Sequence, residues 1–390
     1  MEKVEIRTIH SNEELEQVYE LWANVFPENK AFFQERIELN SDYDFQTTWI
    51  AKVNGNIAAS VQIFPYYTYY ENTYLKVGGI GNVATYPEYR GRGLIQTILK
   101  KQTMWMRDNG FDLSLLFTDI NSFYEKAGWH TVPIQSNVAR NIPEIPAFDY
   151  SIGEFTYSNL IEVKSLYDGF SKKNIGPWIR SSIYWERQLN KRNEKPANFL
   201  IAKSDNKVVA YIRFQSMNGN IAIDECCYRE EHENAGLSLL KEILTRNNDY
   251  QRVRITLAKN HVLTRHFQEW DTETVVETSG MWKVINFYGL LEKLRGVFTD
   301  RMQVENTSKS IDMDYTILLQ CGDLDALLVR KEKIIDVKKP SESFTYNELI
   351  KLDNSAFISM ILNGSEKKGP DQLQNLFPNV DYTFWGTDSF

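Results

Sequence analysis

GNVATYPEYRGRGLIQTILKKQ, residues 81–102, runs from an apolar strand pattern through a loop rich in glycine and arginine into the apolar spacing of a helix. The helix pattern covers residues 92–109 and closes at Asn109-Gly110, which is typical of a helix C-cap. Such a turn presents backbone N–H groups and the positive end of a helix to an anion, and glycine lets a phosphate approach closely. Arg90 and Arg92 add positive charge. The loop is therefore predicted to bind an anionic ligand, although it matches neither G-x-x-x-x-G-K-S/T nor G-x-G-x-x-G.

The segments around this loop predict an α/β layer architecture. Residues 12–26 show the pattern of an amphipathic helix that begins after Ser11 or Asn12. Asn54-Gly55 is a strong signal for a hairpin between two alternating strands. The further predicted elements are strands at 48–53, 57–64, 74–80, 80–85 and 111–117, and a short helix from Ser122 to Gly128.

The same order of elements returns later in the chain. IAKVNGNIAASV at 50–61 has a counterpart in IAKSDNKVVAYI at 201–212, with Ile, Ala, Lys and a turn in register. We interpret this as an internal duplication, the alternative being that any two hairpins look alike. Only Ala235-Gly236 stands where the first copy has its glycine and arginine loop, so the second copy is expected to lack the site. Beyond residue 290, alternating strands and a helix pattern at TYNELIKLDNSAFISMIL indicate a third domain.

Composition limits the classes of function. The chain has 390 residues, a formal net charge of −8 and no low-complexity tract, which favours several globular domains and disfavours a nucleic-acid binder. MEKVEIRTIHSNEEL has acidic residues where a secretion signal needs an apolar core, and no stretch approaches the roughly 18 apolar residues of a membrane helix, so a cytoplasmic location is expected. Cys226, Cys227 and Cys321 are predicted to be small core residues. The five histidines show no metal-ligand spacing, so no metal is expected; His130 is held in reserve as a base.

Two motifs together resemble a known family. V-A-T-x-P-E-x-R-G-R-G-L at 83–94 and F-Y-E-K-A-G-W at 123–129 resemble the acetyl-CoA site of the GNAT acetyltransferase superfamily. In such enzymes an R-x-x-G-x-G/A run binds the pyrophosphate of the cofactor. Arg90 and Gly93 match that run, whereas Ile95 replaces its last small residue.

Over its whole length the chain resembles the Eis (enhanced intracellular survival) family of GNAT N-acetyltransferases. The resemblance implies an α/β (α+β) fold with two tandem GNAT-type mixed-sheet domains and a C-terminal sterol-carrier-protein-like domain. The expected boundaries are a catalytic domain at 1–145, a degenerate GNAT-like domain at 146–288, and a third domain at 289–390 whose tail enters the active site.

The resemblance also assigns roles to residues of the first domain. Tyr124 would protonate the departing CoA thiolate, and Asp119 and Ile120 would touch the cofactor after the next strand. Val83, Ala84 and Thr85 would bind the pantetheine arm. The pyrophosphate would be held by Arg90, Gly91, Arg92, Gly93, Leu94, Ile95 and Gln96.

The expected reaction is direct attack of a primary amine on acetyl-CoA, which needs no covalent enzyme intermediate. In the Eis family the C-terminal carboxylate accepts the amine proton, and Phe390 aligns with that residue; Asp388 is the nearby acid expected to attract a cationic substrate. Family resemblance points to aminoglycoside-like polyamines or lysine side chains, and to a homo-oligomer, by analogy a hexamer. No nucleic-acid or membrane partner is expected. The alternative is an acetyl-CoA or acyl-ligand binding module with vestigial transfer.

Two aromatic segments have open interpretations. PYYTYY at 65–70 is read as one face of a sheet, with substrate stacking as the alternative. Phe26, Phe32 and Phe33 lie where GNAT substrate lids form, or they cover the core.

Overall fold

The computed structural model describes residues 2–38, 43–189, 196–304, 314–331, 334–341, 344–365, 371–380 and 382–388. These residues form three β-sheets of mixed strand direction, each covered by helices. The predicted α/β class is thereby confirmed. No helix among the described residues is both long enough and apolar enough to cross a membrane.

The first sheet contains the hairpin and helices predicted from the sequence. Ser11 caps the first helix, since its side chain accepts a hydrogen bond from the Glu14 amide. Asn54 and Gly55 close the hairpin with φ of 50° and 91°. The elements are β1 Val4–Thr8, α1 Asn12–Val25, α2 Lys30–Glu38, β2 Thr48–Val53, β3 Asn56–Tyr70, β4 Thr73–Thr85, α3 Leu94–Asp108, β5 Leu113–Phe117, α4 Asn121–Glu125 and β6 His130–Thr131.

Strand β4 differs from the prediction. The sequence predicted separate strands at 74–80 and 80–85, but Thr73–Thr85 is one strand. Its pairing with β3 shifts register between Ser60 and Gln62, opposite Asn82, whose φ is 49°. Asn82 donates a hydrogen bond of 2.7 Å to the Gln62 side chain. The predicted break between two strands near residue 80 is therefore a β-bulge at Asn82 within one strand, which bends the strand without ending it.

Strands β4 and β5 diverge beyond a short parallel ladder. They pair from Val77 and Leu113 to Gly79 and Leu115, and no further. Gly78 lies in this ladder. The lack of a side chain lets α3 pack closely there, since a Cβ at this position would collide with the Met106 sulfur. Past Gly79, the β5-facing edge of β4 is free of strand partners among the described residues, and a wedge opens between the two strands.

The second sheet repeats this plan. Its parallel pair is formed by β12 and β13, and its hairpin, β10 and β11, lies where the duplicated motif predicted it. The elements are β7 Ile134–Ala139, β8 Ser151–Glu154, α5 Leu160–Ser171, β9 Ile175–Trp178, α6 Ser182–Leu189, β10 Phe199–Ser204, β11 Lys207–Met217, β12 Asn220–Tyr228, α7 Asn234–Arg246, β13 Arg252–Ile255, α8 Val262–Glu269, β14 Thr272–Glu277 and β15 Gly280–Val284.

The two large sheets are completed by strands that are distant in sequence. β15, which follows the second copy, pairs with both β5 and β6 of the first sheet. β9 pairs with β3, whereas β7 lies in the second sheet between β14 and β13. The two halves are therefore interlocked, and the domain boundaries expected from the sequence stay predictions.

The third unit combines a four-stranded sheet with three helices. Its strand order is β18-β17-β16-β19, and its core is continuous with buried residues of the first sheet such as Leu75 and Trp282. The helix predicted over TYNELIKLDNSAFISMIL was wrong in its first part, which is a strand parallel to β16. Asp353 ends that strand and caps the following helix through the Ala356 amide at 2.7 Å. The elements are α9 Phe287–Val304, β16 Tyr315–Cys321, β17 Leu324–Lys331, β18 Ile334–Lys338, β19 Glu348–Leu352, α10 Asn354–Asn363 and α11 Asp371–Leu376.

Candidate active site

The glycine and arginine loop forms an open cradle of backbone amides. A short 3-10 turn at Pro87–Tyr89 ends β4, and Gly91 and Gly93 follow with φ of 76° and 71°. A Cβ at either glycine would meet no atom within 4 Å, so space does not require glycine there. The left-handed backbone does, because other residues rarely adopt it. The amides of residues 91–96 donate to no acceptor among the described residues. A row of free N–H groups at the start of α3 is a binding site for an anion such as a pyrophosphate.

The two loop arginines differ in their availability. Arg92 lies 2.9 Å from Glu2, donates to the Glu88 carbonyl at 3.0 Å and stacks over the Tyr89 ring. Arg90 is exposed and donates only a long bond of 3.3 Å to the Thr85 carbonyl. Among the described residues it has no carboxylate partner. Arg90 is therefore the loop cation with the greater freedom to meet a phosphate.

Ile95 does not narrow the loop. Its side chain is buried in the apolar cluster that α3 forms with the sheet, beside Leu94 and Ile98. The amide of Ile95 still belongs to the free row. A large residue at this position therefore leaves the anion-binding surface intact.

The wedge between β4 and β5 brings the other predicted residues to the same end of the sheet. Val83, Ala84 and Thr85 lie on β4 beyond its last pair with β5. Asp119 and Ile120 follow β5 across the wedge, and Ile120 is exposed and immediately precedes α4. The two predicted groups thus flank one opening.

Tyr124 lies in α4, the helix that follows Asp119 and Ile120, and is 7% exposed in the apolar cluster that includes Leu94 and Ile95. The Gln96 side chain donates to the Phe123 carbonyl at 2.7 Å and so ties the first turn of α3 to α4. Burial raises the pKa of Tyr124 to about 12, because a charged tyrosinate is poorly solvated there. Its hydroxyl makes no hydrogen bond to any described residue. It therefore stays protonated near neutral pH and is free to donate.

The tail of the chain runs between the two large sheets. Thr383 donates from its amide to the Ile175 carbonyl at 2.7 Å, and the Phe384 ring lies 4.9 Å from that of Phe117 at the end of β5. Gly176 has a φ of 109°, and a Cβ there would collide with the Thr383 carbonyl. Residues 382–388 are thus docked against the body. Phe390 lies outside the described residues.

A buried ionic cluster that the sequence did not reveal holds the end of this tail. Arg180 donates to Glu225 at 2.9 and 2.7 Å and to Asp388 at 3.0 Å, and neither side of these pairs is exposed. Tyr184 donates to Asp388 at 3.0 Å. Burial alone would raise the pKa of Glu225, but Arg180 and Arg213 lower it to about 2. The expectation that Asp388 attracts a cationic substrate was wrong, because its carboxylate is fully buried and paired with Arg180.

The open interpretations resolve toward packing. Tyr66, Tyr69 and Tyr70 are buried, as expected of a sheet face. Phe33 is buried against Trp22 with ring centroids 5.4 Å apart, whereas Phe32 is largely exposed.

The three cysteines are buried, as predicted. His130, held in reserve as a base, is half-buried in β6, and its Nε2 makes no hydrogen bond to a described residue. Because β15 lies between β6 and β5, His130 does not adjoin the wedge between β4 and β5.

The second copy has closed the position of the loop. Helix α7 begins at Asn234, ahead of Gly236, whereas α3 begins only after Gly93. The Gly236 amide donates to the Glu233 carbonyl at 3.0 Å, so this amide is used within the start of the helix. The anion cradle therefore occurs in the first copy and not at the matching place in the second.

Comparison with known proteins identifies the first unit. Residues 5–132 match the family model described as an acetyltransferase (GNAT) domain. No curated protein matched the sequence. The chain thus carries a GNAT acetyltransferase domain, and the prediction of an enzyme of this class is confirmed.

Solved structures share the fold over nearly the whole chain. A protein of unknown function and probable N-acyltransferase from Enterococcus faecalis has a TM-score of 0.74 at 17% identity, covering 98% of this chain and 94% of its own. A GCN5-related N-acetyltransferase from Anabaena variabilis has 0.69 at 14%, with 98% and 94% covered. Eis1 from Mycobacterium abscessus has 0.63 at 11%, with 98% of both chains covered. At these identities the likeness shows the fold alone.

Proposed function

We propose that this chain transfers the acetyl group of acetyl-CoA to a primary amine, by direct attack, in its first domain only. The observation that carries the proposal is the row of free amides at residues 91–96, which follows the end of β4 and is tied to the helix of Tyr124 through Gln96. A cradle for the phosphates, an open strand edge and a proton donor are three of the groups that acetyl transfer from acetyl-CoA uses.

The residues present fit acetyl-CoA as a co-substrate. Arg90 and the amides of Gly91 through Gln96 would hold its pyrophosphate, and the residues of the wedge, Val83 to Thr85 with Asp119 and Ile120, would hold its pantetheine arm. Acetyl-CoA supplies the activated acetyl group. The protein supplies alignment, N–H donors and one proton, and no metal enters the proposal.

Tyr124 would act as the general acid. Its pKa of about 12 keeps the hydroxyl protonated, and the absence of a hydrogen-bond partner among the described side chains leaves it available to the departing sulfur. General acids of this kind contribute roughly 10²- to 10⁴-fold to a rate.

The base is assigned through resemblance to the Eis family, as the C-terminal carboxylate of Phe390. The described part of the tail supports this, since Asp388 is held by Tyr184 and lies near Tyr66 of β3, a strand of the first sheet. Two further residues of extended chain reach about 7 Å. An α-carboxylate has a pKa of about 3.3–3.7, so it would need a raised pKa or a relaying water.

The finer assignments belong to the same proposal. The resemblance extends the substrate to aminoglycoside-like polyamines or lysine side chains, and it implies a cytoplasmic homo-oligomer, by analogy a hexamer, with a sterol-carrier-like third domain. The small-molecule or peptide amine is the common element of these possibilities.

Thiol release from acetyl-CoA in the presence of a panel of primary amines tests the proposal. Amine-dependent release, lost in Tyr124→Phe, is the expected result. Binding of acetyl-CoA without release for any amine would favour the alternative of a binding module with vestigial transfer.

A further inference from the structure

Two arginines from different elements meet beside β3 of the first sheet. The Arg36 guanidinium of α2 lies 5.0 Å from the centre of the Phe64 ring on β3. Arg187 of α6 donates to the Arg36 backbone carbonyl at 3.4 Å, which brings the two side chains together. Both are partly buried.

Neither arginine forms an ion pair within 4 Å with a carboxylate of the described residues. Glu28 is near enough to act on the charge of Arg36 but makes no ion pair with it. Glu225 and Asp388 are both held by Arg180. Burial lowers the pKa of both guanidinium groups, and for Arg36 the charge of Arg187 adds to this effect. Arginine nevertheless stays charged at neutral pH. Two adjacent cations in a partly buried place are unfavourable unless an anion joins them.

The pair lies close to the wedge where acetyl transfer is proposed. Phe64 is opposite Gly79, and Gly79 is the last residue of β4 that pairs with β5. The other face of β3 is covered by α3, since Gln102 of that helix donates to the Val61 carbonyl. With strands about 4.8 Å apart, the Arg36 guanidinium lies on the order of 10 Å from the opening of the wedge, on the side away from α3.

We propose that Arg36 and Arg187 bind a carboxylate or phosphate group of the amine substrate. This inference rests on the proposed acetyl transfer and narrows its substrate class to primary amines that carry an anionic group, such as amino acids, acidic peptides or amino phosphates. Guanidinium groups bind carboxylates and phosphates through paired charge-assisted hydrogen bonds, which gives the site direction as well as affinity. A polycation would meet repulsion at the same place.

Matched pairs of amines test this. Each ω-amino carboxylate, from β-alanine to 6-aminohexanoate, is compared with the alkylamine in which a methyl group replaces the carboxylate, and 2-aminoethyl phosphate is compared with ethanolamine. We expect at least one anionic amine to exceed its partner in kcat/KM by about ten- to a hundredfold, the range that loss of a charge-assisted hydrogen bond predicts. The carboxylate and phosphate arms identify which anion is preferred.

Three variants locate the effect. In Arg36→Met and Arg187→Met the ratio of kcat/KM between the anionic amine and its matched amine should fall toward one, because the KM of the anionic amine rises. Arg36→Lys should restore part of this ratio. Arg140→Met, at an exposed arginine 4.0 Å from Glu273 in the second sheet, is the control and should keep the preference. Acetyl-CoA binding by calorimetry shows that each variant is folded.

The outcomes separate the inference from the proposed function. Faster thiol release with the amines that carry no anionic group, the polycation kanamycin included, than with every anionic amine would overturn the inference and leave acetyl transfer standing. An equal fall in kcat for all amines in Arg36→Met would overturn it too, because the pair would then serve the reaction and not the substrate anion. If none of the amines supports thiol release, both the inference and the proposed function are overturned.

Discussion

The Arg265 guanidinium lies 2.5 Å from the Glu233 carboxylate, at the place in the second sheet where the first has its candidate site. Arg265 is the fourth residue of α8, as Tyr124 is the fourth of α4. Glu233 precedes Gly236 by the same spacing that separates Arg90 from Gly93. The two positions that would supply a proton donor and a phosphate-binding cation in the first sheet are thus joined to each other in the second.

We predict one molecule of acetyl-CoA per chain. A cavity of about 400 Å³ lies beside the start of α7, lined by Tyr228, Glu230 and Glu233, so space alone does not exclude a second molecule. The carboxylates of Glu230 and Glu233 would repel a pyrophosphate. Calorimetric titration should give a stoichiometry of one, and Gly93→Asp should leave no binding of wild-type affinity. Two equivalents in the wild type, or one equivalent of undiminished affinity in that variant, would contradict a silent second copy.

Gly93→Asp should weaken acetyl-CoA binding by several kcal/mol. The new carboxylate would face the bound pyrophosphate, and two unit charges 4 Å apart near a surface interact by about 4 kcal/mol. Gly93→Asn is the matched control, because asparagine has the same shape, tolerates a φ of 71° and carries no charge. We expect the asparagine variant to lose much less affinity. If the two variants lose the same acetyl-CoA affinity, and circular dichroism shows that each is folded, the loss does not come from repulsion between the new carboxylate and the pyrophosphate.

Tyr124→Phe should lower kcat by roughly 10²- to 10⁴-fold and leave acetyl-CoA affinity nearly unchanged, because the hydroxyl acts only on the departing sulfur. The pH profile gives a second check. Since the tyrosine pKa is about 12, the acid stays protonated, and wild-type kcat/KM should rise with pH as the amine loses its proton, without falling between roughly pH 7 and 10. A fall in wild-type kcat/KM above about pH 8 would indicate that a group other than Tyr124 is the general acid.

Much of the first sheet could be predicted because its signals are local. Asn54-Gly55 placed the hairpin, Ser11 or Asn12 placed the start of α1, and the apolar spacing placed α3. That helix was predicted from residue 92 and begins at Leu94, because Gly93 has a left-handed backbone. The single strand β4 was missed because its bulge at Asn82 depends on pairing with β3. The place of β15 in the first sheet depends on contacts between residues about 165 positions apart, which no local pattern encodes.

The candidate site divides in the same way. The amide row and Tyr124 follow from two short motifs, each of which folds as one strand–turn–helix unit. The cluster of Arg180, Glu225 and Asp388 could not be found, because charged residues are ordinarily exposed and only the fold brings these three together. Arg36 and Arg187 were missed for the same reason.

The last prediction concerns the tail. Residues 382–388 are held by the Thr383 amide and by the Arg180–Asp388 pair, so the position of whatever follows Asp388 is set by the body of the protein. If the carboxylate of Phe390 is the base, deleting that residue would draw the carboxylate back by about 3.3–3.6 Å, and a histidine tag after Phe390 would move it much further. Even 1 Å of misplacement can cost on the order of a hundredfold in rate.

Both forms should bind acetyl-CoA like the N-terminally tagged control, because the amide row at 91–96 is untouched, and both should turn over at least a hundredfold more slowly. Asp388→Asn should slow turnover as well, since it loosens the anchor and leaves Arg180 with one carboxylate fewer. Equal turnover of the deleted, C-terminally tagged and N-terminally tagged forms would eliminate the tail as the base and assign that role to a water molecule in the wedge.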